Sequence, residues 1–310
     1  MNDTPKNPHR RRFLKSLLSL GGAVETGREV SARPQGKTAF FWCDLKSGNI
    51  GFPTGLNVPS SRPGSVMKLV TAAALLEEGI FNPNQTLDCT GSFRTEREVY
   101  KCPRGHGPLS IEQAIACSCN VFFARATHTV GAGVILHYAR LFGLDRGVAG
   151  SSFSFPREIP LDSVRLALGL DPDLKPSALQ LMRIAALIGR RGRIPFLKSA
   201  EVVAGPDDRA FELDLKKDTF RRLKNAMIMA AREGTAKELD PEDRLKLAVK
   251  TGTVAHGKKF ESFIVGFFPA GSSPADREPD HAFCLHAPAG TSHDAAVPQA
   301  RRMLFSVNWP

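Results

Sequence analysis

The order of apolar and polar positions divides the chain into an opening strand pair, a long helix-rich middle and a strand-rich end. Thr38 to Asp44 and Ile50 to Phe52 read as strands joined by the turn Ser47-Gly48-Asn49. A strong helix former follows the Pro63-Gly64 break at once, so Ser65 is expected at a helix N-terminus. Asp88 to Pro108, rich in Cys, Gly and Pro, reads as a loop. Ser110 to Val130 reads as one helical segment, and Ile135 to Phe142 as another that stops at Gly143. Pro176 to Arg190 has the pattern of a buried helix with a Ser177 cap, ending before Gly192. Lys216 to Arg232 is amphipathic. Leu245 to Val249, Phe263 to Pro269 and Ala282 to His286 read as strands, and Ala295 to Phe305 as a closing helix. No internal repeat is present.

Composition narrows this picture. With 310 residues, 42% of them hydrophobic, the chain can bury a sizeable core in one large or two interleaved domains. No apolar run reaches the length of about 18 residues that a membrane-spanning helix needs. A net charge of +11 suits either an anionic surface or a solvated basic face. No basic helix is interleaved with aromatics, so a nucleic-acid partner is not expected.

Candidate chemistry begins at Ser65-Val66-Met67-Lys68. A serine and a lysine three apart at a helix start share one face, where the amine can take the serine's proton and first-turn N–H groups favour nearby negative charge. That pair alone is weak evidence. Ser118-Cys119-Asn120 and Lys250-Thr251-Gly252-Thr253 follow in order, and Ser-x-x-Lys, Ser-x-Asn and Lys-Thr-Gly together form the signature of penicillin-binding proteins and serine β-lactamases. From about Thr38 to about Leu304 the sequence resembles the transpeptidase domain of a class B, elongation-type penicillin-binding protein.

The resemblance implies an α/β (α+β) transpeptidase-like fold over residues 38–310: an antiparallel sheet flanked by helices, packed on a mostly helical subdomain. The pedestal that class B enzymes usually carry is not read ahead of it, so a stand-alone catalytic domain is expected. The resemblance also implies a serine D,D-transpeptidase acting on the D-Ala-D-Ala ends of peptidoglycan stem peptides through an acyl-enzyme on Ser65. A D,D-carboxypeptidase or endopeptidase, and a β-lactam-binding sensor or scaffold without turnover, stay open. Lys68 would be the base, its pKa lowered by burial and by Lys250 as a nearby cation. Ser118 would relay a proton to the leaving nitrogen, and Asn120 would hold Lys68 and the substrate backbone. Thr251, Gly252 and Thr253 would form the substrate-carboxylate site, with an oxyanion hole from the backbone N–H groups of Ser65 and Thr253. No Glu-x-x-Leu-Asn pattern lies between Asn120 and Lys250, and Asn120 stands where class D β-lactamases usually have an apolar residue. A long-lived adduct with β-lactams is therefore expected. A membrane glycan polymerase is the implied partner, and no cofactor is needed for the chemistry.

Cys89, Cys102, His106 and Cys119 offer three thiolates and an imidazole, a donor set for structural zinc. Some elongation-type class B enzymes carry ligand types at matching positions around a segment like Gly105-His106-Gly107. A Cys89–Cys102 disulfide and free thiols are the alternatives. Cys43, Cys117 and Cys284 read as buried apolar fillers. Residues 1–37 read as a leader: Arg10-Arg11-Arg12-Phe13-Leu14-Lys15 resembles a twin-arginine export motif before the apolar stretch Leu17 to Val24, with Ala32 a cleavage position. Glu25, Arg28 and Glu29 cut that stretch short, so a disordered basic tail stays open. Export implies a periplasmic or other extracytoplasmic location.

Overall fold

The computed structural model describes residues 37–52, 54–55, 57–157, 162–199, 210–271, 278–307 and 309. The expected leader lies outside them. Strands β1 (Ala39–Asp44), β2 (Ile50–Gly51), β9 (Ala248–His256), β10 (Lys259–Phe268) and β11 (His281–Ala287) form a five-stranded sheet in the order β2-β1-β11-β10-β9. Every pairing in it is antiparallel. Among the described residues β9 is thus an edge strand, and its outer rim lies against Pro63, Gly64 and Val66.

The alternation of side chains along these strands feeds two cores. Phe40, Ile264, Phe283 and Leu285 pack on one face against Ala230 and Ala231 of helix α7 (Lys217–Arg232) and Ala300 and Leu304 of helix α8 (Val297–Ser306). Phe41, Phe263, Val265, Phe267 and Cys284 face the other way, onto helix α6 (Ala178–Gly189). Every residue of α6 is buried. It starts at a capping box in which the Ser177 hydroxyl accepts from the Gln180 N–H and the Gln180 side chain accepts from the Ser177 N–H. Leu→Ala inside such a helix costs about 2–5 kcal/mol.

The second core belongs to a helical layer. Helix α1 (Met67–Glu77) is buried at every position. Around it lie α2 (Ile111–Ala116), α3 (Asn120–Thr127), α4 (Ala132–Leu141) and α5 (Ser163–Ala167). The sequence pattern locates α1, α4, α6, α7 and α8 to within a few residues, and it misses α5. Three expectations change. Residues 88–108 are not one irregular loop, because they hold two ribbons: β3 (Leu87–Cys89) pairs with β6 (Gly107–Leu109), and β4 (Ser92–Arg94) with β5 (Val99–Lys101). The segment from Ser110 to Val130 is two helices, broken at Cys117-Ser118-Cys119. The strand expected over Leu245 to Val249 does not end at Val249 but begins at Ala248, so the Lys-Thr-Gly motif lies inside β9. β7 (Arg193–Ile194) and β8 (Phe211–Glu212) make a small ribbon beyond α6. Among the described residues, no helix is long and apolar enough to cross a membrane.

Candidate active site

Ser65 lies in a single 3₁₀ turn, Gly64–Val66, that runs straight into α1. It is half-buried, whereas Lys68, one turn along, is wholly buried. The turn is held from two sides at glycine contacts. A Cβ on Gly169, whose φ is +69°, would lie 2.2 Å from the Gly64 carbonyl oxygen, and the Gly64 N–H donates to the Gly169 carbonyl at 3.1 Å. A Cβ on Gly252 of β9 would lie 2.8 Å from the Pro63 carbonyl oxygen. These approaches bring the rim of β9 against the nucleophile turn, which only residues without side chains allow.

The second motif is shaped by its break. Ser118 has φ +57°, a left-handed conformation that a non-glycine residue adopts at a cost of about 1–2 kcal/mol. Cys119 then caps α3, its sulfur accepting the Phe122 N–H at 3.3 Å. This turn sets Ser118 between two buried amines. Lys68 Nζ donates to the Ser118 carbonyl at 2.6 Å and to Asn120 Oδ1 at 2.7 Å, and it lies 3.4 Å from Ser118 Oγ. Lys250 Nζ donates to Ser118 Oγ at 2.9 Å and to the Thr251 carbonyl at 2.7 Å. Asn120 is fixed in turn by donating Nδ2–H to the Lys101 carbonyl at 3.0 Å. The serine hydroxyl thus bridges the two lysines.

Electrostatics give the pair its character. Burial pushes the Lys68 amine down to about 8, opposed by the thiols of Cys119, Cys102 and Cys117. Lys250 is pushed further down, first by burial and then by the charge of Lys68. Desolvation leads at both amines, and at Lys250 the charge of Lys68 adds to it.

On the rim of β9, Thr251 Oγ1 and Thr235 Oγ1 are 2.7 Å apart. Thr253 Oγ1 donates to Ser292 Oγ at 3.2 Å and accepts the Ser292 N–H at 3.0 Å. The expected residues Ser65, Lys68, Ser118, Asn120, Lys250, Thr251, Gly252 and Thr253 thus converge from three separate elements. Sequence reading gave no site role to Gly169, Thr235 or Ser292. Gly234-Thr235-Ala236 is visible as a turn pattern, but nothing local marks Gly169 or Ser292, whose contacts with Gly64 and Thr253 are distant in sequence.

Behind the second motif, the ligand atoms of Cys89, Cys102, His106 and Cys119 lie within 4.8 Å of one another. Cys89 Sγ is 3.4 Å from His106 Nδ1, and Cys102 Sγ is 3.6 Å from Cys119 Sγ. A tetrahedral zinc with bonds of about 2.3 Å sets its sulfurs about 3.8 Å apart, so these spacings fit the ion. The thiol of Cys119 donates to Cys102, and with the N–H groups of Val121 and Asn120 it brings the Cys102 thiol down to about 5. The same bond, together with burial, raises Cys119. All six cysteines are free thiols, and the alternative Cys89–Cys102 disulfide is not formed. Cys43 and Cys284 are buried as expected, with burial raising the Cys43 thiol to about 12. Cys117 is half-buried and packs against the edge of their core.

Comparison with known proteins agrees with this geometry. Residues 59–286 match the family described as the penicillin-binding protein transpeptidase domain. The chain is 27% identical over 222 residues to the peptidoglycan D,D-transpeptidase PbpA of Mycolicibacterium smegmatis, covering 63% of this chain and 43% of that protein. It is 26% identical over 237 residues to stage V sporulation protein D of Bacillus subtilis, covering 69% of this chain and 36% of the relative. The chain therefore spans less than half the length of these curated relatives. The crystal structure of Pseudomonas aeruginosa PBP2 in complex with WCK 5153 superposes with a TM-score of 0.74 at 19% identity, covering 87% of this chain and 70% of that one, and shares the fold. With three motifs converging on one site and a family match over most of its length, this chain belongs to the penicillin-binding protein transpeptidase domain family.

Proposed function

We propose that the chain is a serine D,D-transpeptidase that acylates Ser65 with peptidoglycan stem peptides ending in D-Ala-D-Ala, and that β-lactams acylate the same serine. The observation that carries this reading is the Ser118 hydroxyl bridging Lys68 and Lys250 beside the nucleophile turn. A substrate carboxylate arriving at the third motif, beside Lys250, raises the proton affinity of Lys250. Lys68, its amine lowered to about 8 by burial, reacts in its neutral form, with Ser118 linking it to Lys250. Neutral Lys68 takes the Ser65 proton as Ser65 Oγ bonds to the carbonyl carbon, and the backbone N–H groups of Ser65 and Thr253 stabilise the oxyanion. When the C–N bond breaks, Lys68 returns the proton through Ser118 to the departing amine of D-Ala. An acceptor amine attacks the ester by the reverse path. Thin-layer or mass analysis of products from a pentapeptide-bearing glycan tests this. Cross-linked dimer with release of D-Ala is expected. D-Ala released without dimer would assign a carboxypeptidase, and no turnover beside intact β-lactam acylation would assign a sensor.

Structural zinc belongs to this proposal, held by Cys89, Cys102, His106 and Cys119. Through Cys119, which lies between Ser118 and Asn120, such an ion would tie the second motif to residues 89–106 and would supply no acid–base chemistry. Protein purified under reducing conditions is expected to carry about one zinc per chain by metal analysis. A Cys102→Ser variant is expected to lose the metal and to melt at lower temperature. Zinc-free wild type would refute the assignment. We further propose action outside the cytoplasmic membrane, beside a membrane glycan polymerase, because stem peptides are cross-linked there. The leader motif at Arg10 to Lys15 supports export.

A further inference from the structure

A carboxylate bound in a half-buried cleft needs two proton donors, one for each oxygen. The hydroxyls that the third motif supplies are already committed. Thr253 spends its only proton on Ser292 Oγ, at 3.2 Å, and its oxygen accepts the Ser292 N–H at 3.0 Å. Thr251 and Thr235 share a hydrogen bond of 2.7 Å, so one of their two protons is used between them. Each pair therefore has one uncommitted hydroxyl proton. In the Thr253–Ser292 pair that proton belongs to Ser292, since its oxygen is the acceptor.

Both outer members sit on firm supports. Ser292 opens the single π-turn Ser292–Ala296, capped by Thr291, whose last residues Ala295 and Ala296 are buried in the core behind the sheet. The neighbouring Gly290 N–H donates to the Phe260 carbonyl of β10 at 3.0 Å. Thr235 donates its N–H to the Ala116 carbonyl at 3.2 Å, at the end of α2 that leads into the second motif. Thr235, Thr251, Thr253 and Ser292 thus form a row of hydroxyls along β9, in which Thr251 is buried and the other three are half-buried. Ser292 is half-buried, so its outward side is accessible.

Resting on the acyl-enzyme reading of Ser65, we propose that Ser292 is a substrate-binding residue: its hydroxyl donates to one oxygen of the ligand's terminal carboxylate, while the Thr235–Thr251 pair donates to the other. Thr253 acts as the link that orients Ser292. The site then selects ligands that carry an ionised carboxylate one residue beyond the scissile carbonyl, and it discriminates against esters and amides at that position.

The test compares second-order acylation rates for benzylpenicillin and for its methyl ester, in wild type, Ser292→Ala and Ser292→Thr. Loss of one hydrogen bond to a charged group is expected to slow acylation by the acid about tenfold. The ester, which cannot accept as a carboxylate, is expected to react at nearly the wild-type rate in Ser292→Ala, so the acid-over-ester preference shrinks about tenfold. Ser292→Thr is expected to restore most of that preference. Equal slowing of acid and ester in Ser292→Ala would show a merely structural role and overturn the proposal. So would an unchanged preference in a normally acylated Ser292→Ala. Failure of wild type to be acylated by either compound would instead overturn the Ser65 reading, and this proposal with it.

Discussion

Ser118 is the side chain through which the two buried lysines communicate, and its backbone is strained to put it there. Its φ of +57° suits glycine better than serine. Ser118→Gly is therefore expected to leave thermal stability unchanged or slightly raised while slowing acylation about 100-fold or more, because the proton path between Lys68 and Lys250 is cut. Thermal melting together with β-lactam acylation rates checks both halves. The amine at Lys68, brought to about 8 by burial, sets the pH response. Second-order acylation reports the free enzyme, and only neutral Lys68 can accept the Ser65 proton. The rate should rise about tenfold per pH unit below 8 and level off above it. A profile flat from pH 6 to 9 would contradict Lys68 as the base.

At the scale of elements, the site depends on how closely β9 and the nucleophile turn are held together. Gly169 and Gly252 allow the approach, and a second device outside the cleft fastens it. The Glu261 carboxylate of β10 accepts from the Ser61 hydroxyl, and from His256 and His286. Arg62 donates to the Ala255 carbonyl at 2.6 Å. Burial alone would raise the Glu261 carboxyl, but the hydrogen bonds from His286, Ser61 and His256 outweigh it and hold it at about 2. A carboxyl depressed in the folded state contributes stability that is present above its unfolded value, about 4.5, and is lost as pH falls toward 2. Glu261→Gln is thus expected to melt several degrees below wild type at pH 7, with the gap closing as pH drops below about 4.5. Gly169→Ala is expected to abolish most acylation, because its Cβ would meet the Gly64 carbonyl at 2.2 Å and its φ is left-handed. Near-normal acylation in that variant would mean that the nucleophile turn yields more easily than the packing implies.

Over the whole molecule, what the sequence discloses is what depends on neighbours in the chain. The long helices and the sheet strands follow from periodicity and caps, as at Ser177 and Gln180. The eight motif residues are legible because their short spacings are written locally. The break at Ser118 is not, since Ser110 to Val130 has helical composition throughout and the turn is imposed by Cys119 capping α3 and by two lysines from other elements. Gly169, Glu261 and Ser292 acquire their roles only when β9, β10 and the segment before α1 meet in space.

The central claim is that Ser65 carries the acyl group. Intact mass after incubation with benzylpenicillin, for wild type and Ser65→Ala side by side, tests it most directly. The account predicts one stable adduct per wild-type chain and none on the variant. An adduct on Ser65→Ala, or a wild type that gains no mass, would contradict it.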